Sequence, residues 1–167
     1  QEKSKAIVDS EIAAQAREIS ADSIKDYIHI LAGFHTRHSL SDTTSDTRGI
    51  GAARRWVASK FREFANIHQA SMRVELDPFS VSPGPRSPRV PYTVTMKNVL
   101  GILEGSDPAD TRIILVSGHL DSRNSDVMDS VGRAPGANDD ASGVAVVLEL
   151  ARVMSKKKYP CTIIFMA

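Results

Sequence analysis

Apolar residues recur along this chain at two spacings, and the change from one to the other divides the sequence. From Ile7 to about Ile19 they fall at helical intervals, and Asp9 or Ser10 can cap the short amphipathic helix they predict. Ser20 or Asp22 can cap a second helix, in which Ile24, Tyr27, Ile28 and Leu31 form one stripe at i, i+3, i+4 and i+7, with His29 off it and in solvent. After the Ser-, Thr- and Asp-rich loop that follows Gly33, a third helix is predicted from about Gly49 to Ala65. Ala53, Trp56, Val57, Phe61 and Phe64 line its core side, and Arg54, Arg55, Lys60 and Arg62 make a solvated basic face.

From Met72 the period falls to two. Met72, Val74 and Leu76 alternate with Arg73 and Glu75, as in a half-buried strand. Ser82 to Pro91 carries four prolines and a glycine and is read as a loop that turns the chain back. Tyr92 to Glu104 reads as a long strand, with a possible bulge at Gly101, and Gly105-Ser106-Asp107-Pro108 as a hairpin-like connection into the next strand. Ile113 to Val116 has the look of a buried strand. Val144, Val147, Leu148 and Ala151 return to helical spacing, and Cys161 to Ala167 is a last apolar strand. The expected architecture is α/β, with a helical segment at about 7–65 and a sheet-forming part at about 70–167.

Composition narrows the function classes. The 167 residues suit one domain; Lys+Arg 21 against Asp+Glu 20 gives a formal charge of +1, and no basic run or aromatic platform stands out, so nucleic acid is not an expected partner. No apolar run approaches the roughly 20 residues that cross a bilayer, so no membrane partner is expected. Cys161, the only cysteine, excludes an internal disulfide and a multi-cysteine zinc site, and its apolar strand suggests a packed thiol. Lys156, Lys157 and Lys158 follow a helix, where the dipole favours cations.

The candidate chemistry lies between the Ile113 strand and the Val144 helix, where an open α/β sheet places its sites. In Gly118-His119-Leu120-Asp121, residues two apart on an extended chain share a side, so His119 and Asp121 face the crevice while Leu120 turns to the core. One ring nitrogen is then free for a metal and the other can donate to Asp121. Read alone, the pair also fits a surface histidine beside a turn aspartate. In Gly136-Ala137-Asn138-Asp139-Asp140-Ala141-Ser142-Gly143, helix capping explains one carboxylate, Asp140, and leaves Asp139 over. Adjacent carboxylates repel unless a cation is near, and oxygen ligands suit divalent ions. His35, His38, Asp42 and Asp46 match no metal-ligand spacing and are read as loop residues. The charged loop from Ser122 to Arg133 either rims a substrate site or is simply solvated.

Taken together, SGHLDS and APGANDDASG at the start of a helix resemble the di-zinc aminopeptidases of the secreted bacterial leucyl aminopeptidase type, whose relatives include glutamate carboxypeptidases and glutaminyl cyclases. The resemblance implies a three-layer α/β/α zinc-exopeptidase (phosphorylase/hydrolase-like) fold with a mixed sheet. It implies that His119 binds one zinc, that Asp121 orients His119, that Asp139 bridges two zincs (other divalent metals being possible), that Asp140 stands just behind the ligands, and that the Asp139–Asp140 peptide is cis. Asn138 departs from the Asp often found there but touches no implied ligand. Phe34 and Arg37 fall in a segment with a structural or substrate-rim role.

The implied activity is removal of amino-terminal residues from peptides by a two-zinc-activated water, in a secreted or periplasmic setting. Carboxypeptidase or glutaminyl cyclase chemistry, or a non-catalytic peptidase-like binding domain, are the alternatives. In the family the general-base Glu and further ligands follow a strand like IIFMA, so the chain is expected to be a truncated, inactive amino-terminal portion. It would be prone to self-association through an exposed sheet edge, and its start at Gln1 fits a processed or trimmed terminus.

Overall fold

A computed structural model describes residues 9–167; the expected helix start at Ile7 lies outside them. Helix α1 (Ser10–Arg17) is capped by Asp9, whose carboxylate accepts from Glu11 N and Ile12 N. Helix α2 (Ala21–Gly33) is capped by Ser20 through Ser23 N. Helix α3 (Gly49–His68) runs about one turn past the predicted end and stops where Gln69 turns left-handed. The sheet comprises β1 (Met72–Val81), β2 (Val94–Leu103), β3 (Ile113–Ser117) and β4 (Thr162–Met166), and α4 (Ser142–Met154) connects the last two.

Strand order is β1-β2-β4-β3. β1 and β2 form an antiparallel hairpin across the proline-rich loop, β4 is antiparallel to β2, and β3 is parallel to β4. The sheet is therefore mixed, as expected, but three local expectations fail. Gly105 to Pro108 does not make a hairpin from β2 to β3, because the β3-α4-β4 crossover inserts β4 between them. The segment bonds instead to the chain entering β4, through Ser106 N to Tyr159 O at 2.8 Å and Asp107 N to Pro160 O at 3.2 Å. Gly101 marks no bulge: β1–β2 register is unbroken from Met72↔Leu103 to Val81↔Val94, and a Cβ on Gly101 would stand 3.0 Å from the Phe61 ring. β3 is not buried. It is the edge strand, with Ile113, Ile114 and Leu115 64%, 49% and 55% exposed.

The core sits on one face of the sheet. Directly paired residues share a face, so Val99, Gly101, Leu103, Ile163 and Phe165 lie together beneath α3 and α4, with Phe61, Phe64, Val144 and Leu148 packed on them. Against α4 stands α2, through Tyr27 and Leu31. The opposite face carries Leu100, Ile113, Leu115, Ile164 and Met166, and no helix among the described residues covers it. One buried carboxylate ties the amino-terminal helices to this core. Glu149 on α4 accepts from Ser20 N (2.6 Å) and from Nε and Nη2 of Arg152 (2.8 and 2.6 Å), and Arg152 Nη2 also reaches Glu18 O at 2.8 Å.

Candidate metal centre

β3 delivers its chain to the sheet edge, where Gly118 passes so close to the start of α4 that a Cβ there would lie 2.7 Å from Gly143 C and Val144 N. That close approach sets His119 beside the helix entrance. Leu120 is 6% exposed and turns inward, while His119 and Asp121 stay on the open side. Leading into α4, Gly136 takes a left-handed φ of 49°, with Ser122 Cβ 2.5 Å from where its own Cβ would be. Residues 137–141 then form a wide turn in which Asp139 and Asp140 leave helical geometry, and the peptide between them is cis.

The turn brings four side chains together. His119 Nε2 lies 2.9 Å from Asp139 Oδ1. On the other side of the ring, Nδ1 is 3.1 Å from Asp121 O and 3.2 Å from Asp121 Oδ1. Asp140 works through the backbone: Oδ2 accepts from His119 N at 3.1 Å and Oδ1 from Gly143 N at 2.9 Å, so one carboxylate fixes the histidine main chain and the first turn of α4. Ser39 Oγ donates to Asp121 Oδ2 at 3.3 Å. Partial burial pulls the His119 pKa down, but the charges of Asp121 and Asp140 and the hydrogen bonds that the ring donates to Asp121 outweigh it, and the net shift is upward.

Two loops support this cluster from behind. Arg37, 1% exposed, sends Nε to Leu120 O (2.8 Å), Nη1 to Leu31 O (2.8 Å) and Pro135 O (2.7 Å), and Nη2 to Gly136 O (3.0 Å). One guanidinium thus joins the end of α2 to the His119 segment and to the entrance of the Asp139 turn. Burial lowers its pKa to about 10, against the attraction of Asp121 and Asp140, so it stays charged at neutral pH. Of the two roles expected for the Phe34–Arg37 segment, Arg37 fills the structural one. His38 Nδ1 accepts from Leu40 N, leaving Nε2 to donate to Val127 O at 3.2 Å, and His35 Nε2 contacts Val131 O at 3.2 Å. These histidines hold the Ser122–Arg133 loop. Within that loop Asp129 Oδ1 accepts from Val131 N and Gly132 N.

The donor set suits part of a metal site. An imidazole nitrogen and a carboxylate oxygen face each other, both open to solvent, with the second ring nitrogen backed by a carboxylate, the arrangement that fixes a metal-binding tautomer. Among the described residues no cluster of three or more His, Cys, Asp or Glu is arranged to hold an ion. Arg54 is a correction: predicted on the solvated face of α3, it is 9% exposed. A run of basic residues on a helix gives no signal of which one turns toward the sheet.

Taken together, the mixed sheet and the cluster at its edge have counterparts among proteins of known structure and sequence. The fold is shared with an aminopeptidase from Aneurinibacillus sp. strain AM-1 (TM-score 0.63, 16% identity, 90% of this chain and 62% of that one) and with BSAP, a zinc aminopeptidase from Bacillus subtilis (0.63, 14%, 89% and 61%). It is shared equally with a glutaminyl cyclase from Fimbriiglobus ruber (0.65, 18%, 89% and 44%). In sequence, residues 98–167 match Peptidase family M28, a stretch that contains all four side chains of the cluster. The chain is similar in sequence to proteins described as probable zinc metalloproteases: it is 43% identical over 159 residues to one of Leptosphaeria maculans and 45% identical over 161 residues to one of Pyrenophora teres f. teres. It covers 36% and 34% of those proteins, about a third of their length.

Proposed function

We propose that this chain contributes the first metal ligands of a two-zinc aminopeptidase that removes amino-terminal residues from peptides. The observation that carries the reading is His119 Nε2 facing Asp139 Oδ1 at 2.9 Å with Asp121 behind Nδ1; the M28 match over the same residues supports it. In this reading His119 and Asp139 hold zinc. Asp121 keeps the proton on Nδ1, so that Nε2 presents its lone pair. Asp140 fixes the His119 main chain, and Arg37 keeps the two ligand-bearing segments in register. Bound zinc supplies Lewis-acid polarisation of the peptide carbonyl and of water.

The test is turnover of aminoacyl anilides by the full-length protein after metal removal and zinc return, with amino-terminal glutaminyl peptides alongside because glutaminyl cyclases share the fold. Hydrolysis of the anilides that needs zinc and is lost in His119→Ala is expected. Cyclisation of glutaminyl peptides without anilide hydrolysis would overturn the aminopeptidase reading. So would zinc-independent turnover.

A further inference from the structure

A cleft of about 250 Å³ opens beside the metal centre, between the amino-terminal half of α3 and the edge of the β1–β2 hairpin. Its walls include His119 and Asp121 at one end and Phe79, Lys97 and Arg54 at the other. A second hollow, lined by Arg54, Arg55, Lys97 and Thr95, shares Arg54 and Lys97 with the first. The two cations therefore stand in the partition between them.

Arg54 is the unusual member. It is 9% exposed, yet no carboxylate among the described residues reaches its guanidinium. Burial, aided by the like charge of Arg55, lowers its pKa, and no opposing charge raises it. Compare Arg37, still more deeply buried but bonded to four carbonyl groups. Arg55 is already committed, to Asp46 at 3.4 Å and to Thr43 O at 2.9 Å. Lys97 has no ion pair among the described residues, and the neighbouring Asn98 is engaged with Asp77. Among the described residues Asp121 is the one side-chain carboxylate on the cleft wall, and it is turned to His119 and Ser39. Arg54 keeps its charge although most of the residue is buried, and a guanidinium that faces a cleft with no carboxylate among the described residues to pair with is placed to take an anion from solution.

We propose that Arg54 and Lys97 form a carboxylate-binding subsite, so that the peptides taken by this site carry an acidic group a short distance from the bond at the metal centre. Arg54 supplies the planar donor fork that matches a carboxylate, and Lys97 adds charge at the solvent side. The apolar wall at Phe79 takes the aliphatic part of the residue that bears it. That the ligand is a peptide rests on the peptidase reading; the anion site itself rests on Arg54 and Lys97.

Two measurements on the full-length protein test this separately. The first is calorimetric titration of the metal-free protein with N-acetylglutamate and with N-acetylglutamine. Binding of the acid in clear preference to the amide is expected, weakened about tenfold or more in Arg54→Gln and less in Lys97→Ala, whose exposed side chain carries no risk to folding. The second compares KM for matched Glu- and Gln-containing peptides, each with a free and an amidated carboxy terminus. The Glu-to-Gln KM ratio should rise about tenfold in Arg54→Gln if the acidic side chain is read, and the acid-to-amide ratio should rise instead if the terminal carboxylate is read. Equal binding of acid and amide, binding of neither, or ratios unchanged in both variants would overturn the subsite and assign Arg54 to a carboxylate of the protein itself. Failure of the wild-type protein to cleave any peptide would count against the peptidase reading alone, since the calorimetry does not depend on it.

Discussion

The His119 ring stands between two carboxylates, and its protonation decides what it can hold. When the ring carries both protons, Nε2–H faces Asp139 Oδ1 at 2.9 Å, the position in which a metal would compete with it, and Asp121 and Asp140 outweigh partial burial to hold the pKa above the ordinary 6.5. For a base whose folded pKa is raised, the stabilisation is complete below the unfolded value and is lost as pH rises through the folded value. Zinc competes with that proton, so affinity should fall as pH drops through the same raised value. Competition with a chromogenic chelator between about pH 5 and 8 checks this, the range across which histidines titrate. Affinity flat across the range would remove His119 from the ligand set. Arg37→Met should cost about 3–4 kcal/mol in urea denaturation, because it strips donors from four carbonyls at once. The sequence showed the first residue better than the second. His119 and Asp121 lie two apart on an extended segment, where spacing alone sets direction. What Arg37 does depends on carbonyls from three segments, two of them distant in sequence, and nothing local distinguishes it from the polar residues around it. Arg54 was misread for the same reason.

At the scale of elements, helices were legible because each carries its own period and cap. Asp9, Ser20 and the stripe from Ile24 to Leu31 are all local. Strand neighbours are not local. Whether β2 pairs with β3 or with β4 is set by the crossover through α4, and an apolar run such as Ile113–Val116 reads the same at a sheet edge as at its centre. The helices are held together by a device equally invisible in the pattern, Glu149, which lies among the apolar residues of α4 one turn before Arg152 and joins α4 to the α1–α2 junction. Glu149→Ala should destabilise the protein by about 3 kcal/mol, leaving Arg152 and Ser20 N without their acceptor, and the double change Glu149→Leu with Arg152→Met should recover part of that loss. Thermal and urea melts of the two variants check it. A double variant less stable than the single one would show that the pair, and not the cost of stranding one partner, holds the junction.

For the whole molecule, the mixed sheet gathers segments far apart in sequence at one edge: the His119 strand end, the Asp139 turn, the Arg37 loop and, across the cleft, Arg54 on α3. The meeting of His119 with Asp139 was readable in advance because both motifs lie within one strand-turn-helix stretch. The cleft was not, because its walls come from α3, the hairpin and β3. No helix among the described residues is long and apolar enough to cross a membrane. The central claim is that His119 and Asp139 bind the same zinc ion, and the most direct measurement is anomalous scattering at the zinc edge from crystals of the zinc-loaded protein. The account predicts a peak about 2.0–2.2 Å from both His119 Nε2 and Asp139 Oδ1, with Asp121 remaining on Nδ1. A peak on Nδ1, or zinc bound only away from these two residues, would contradict it.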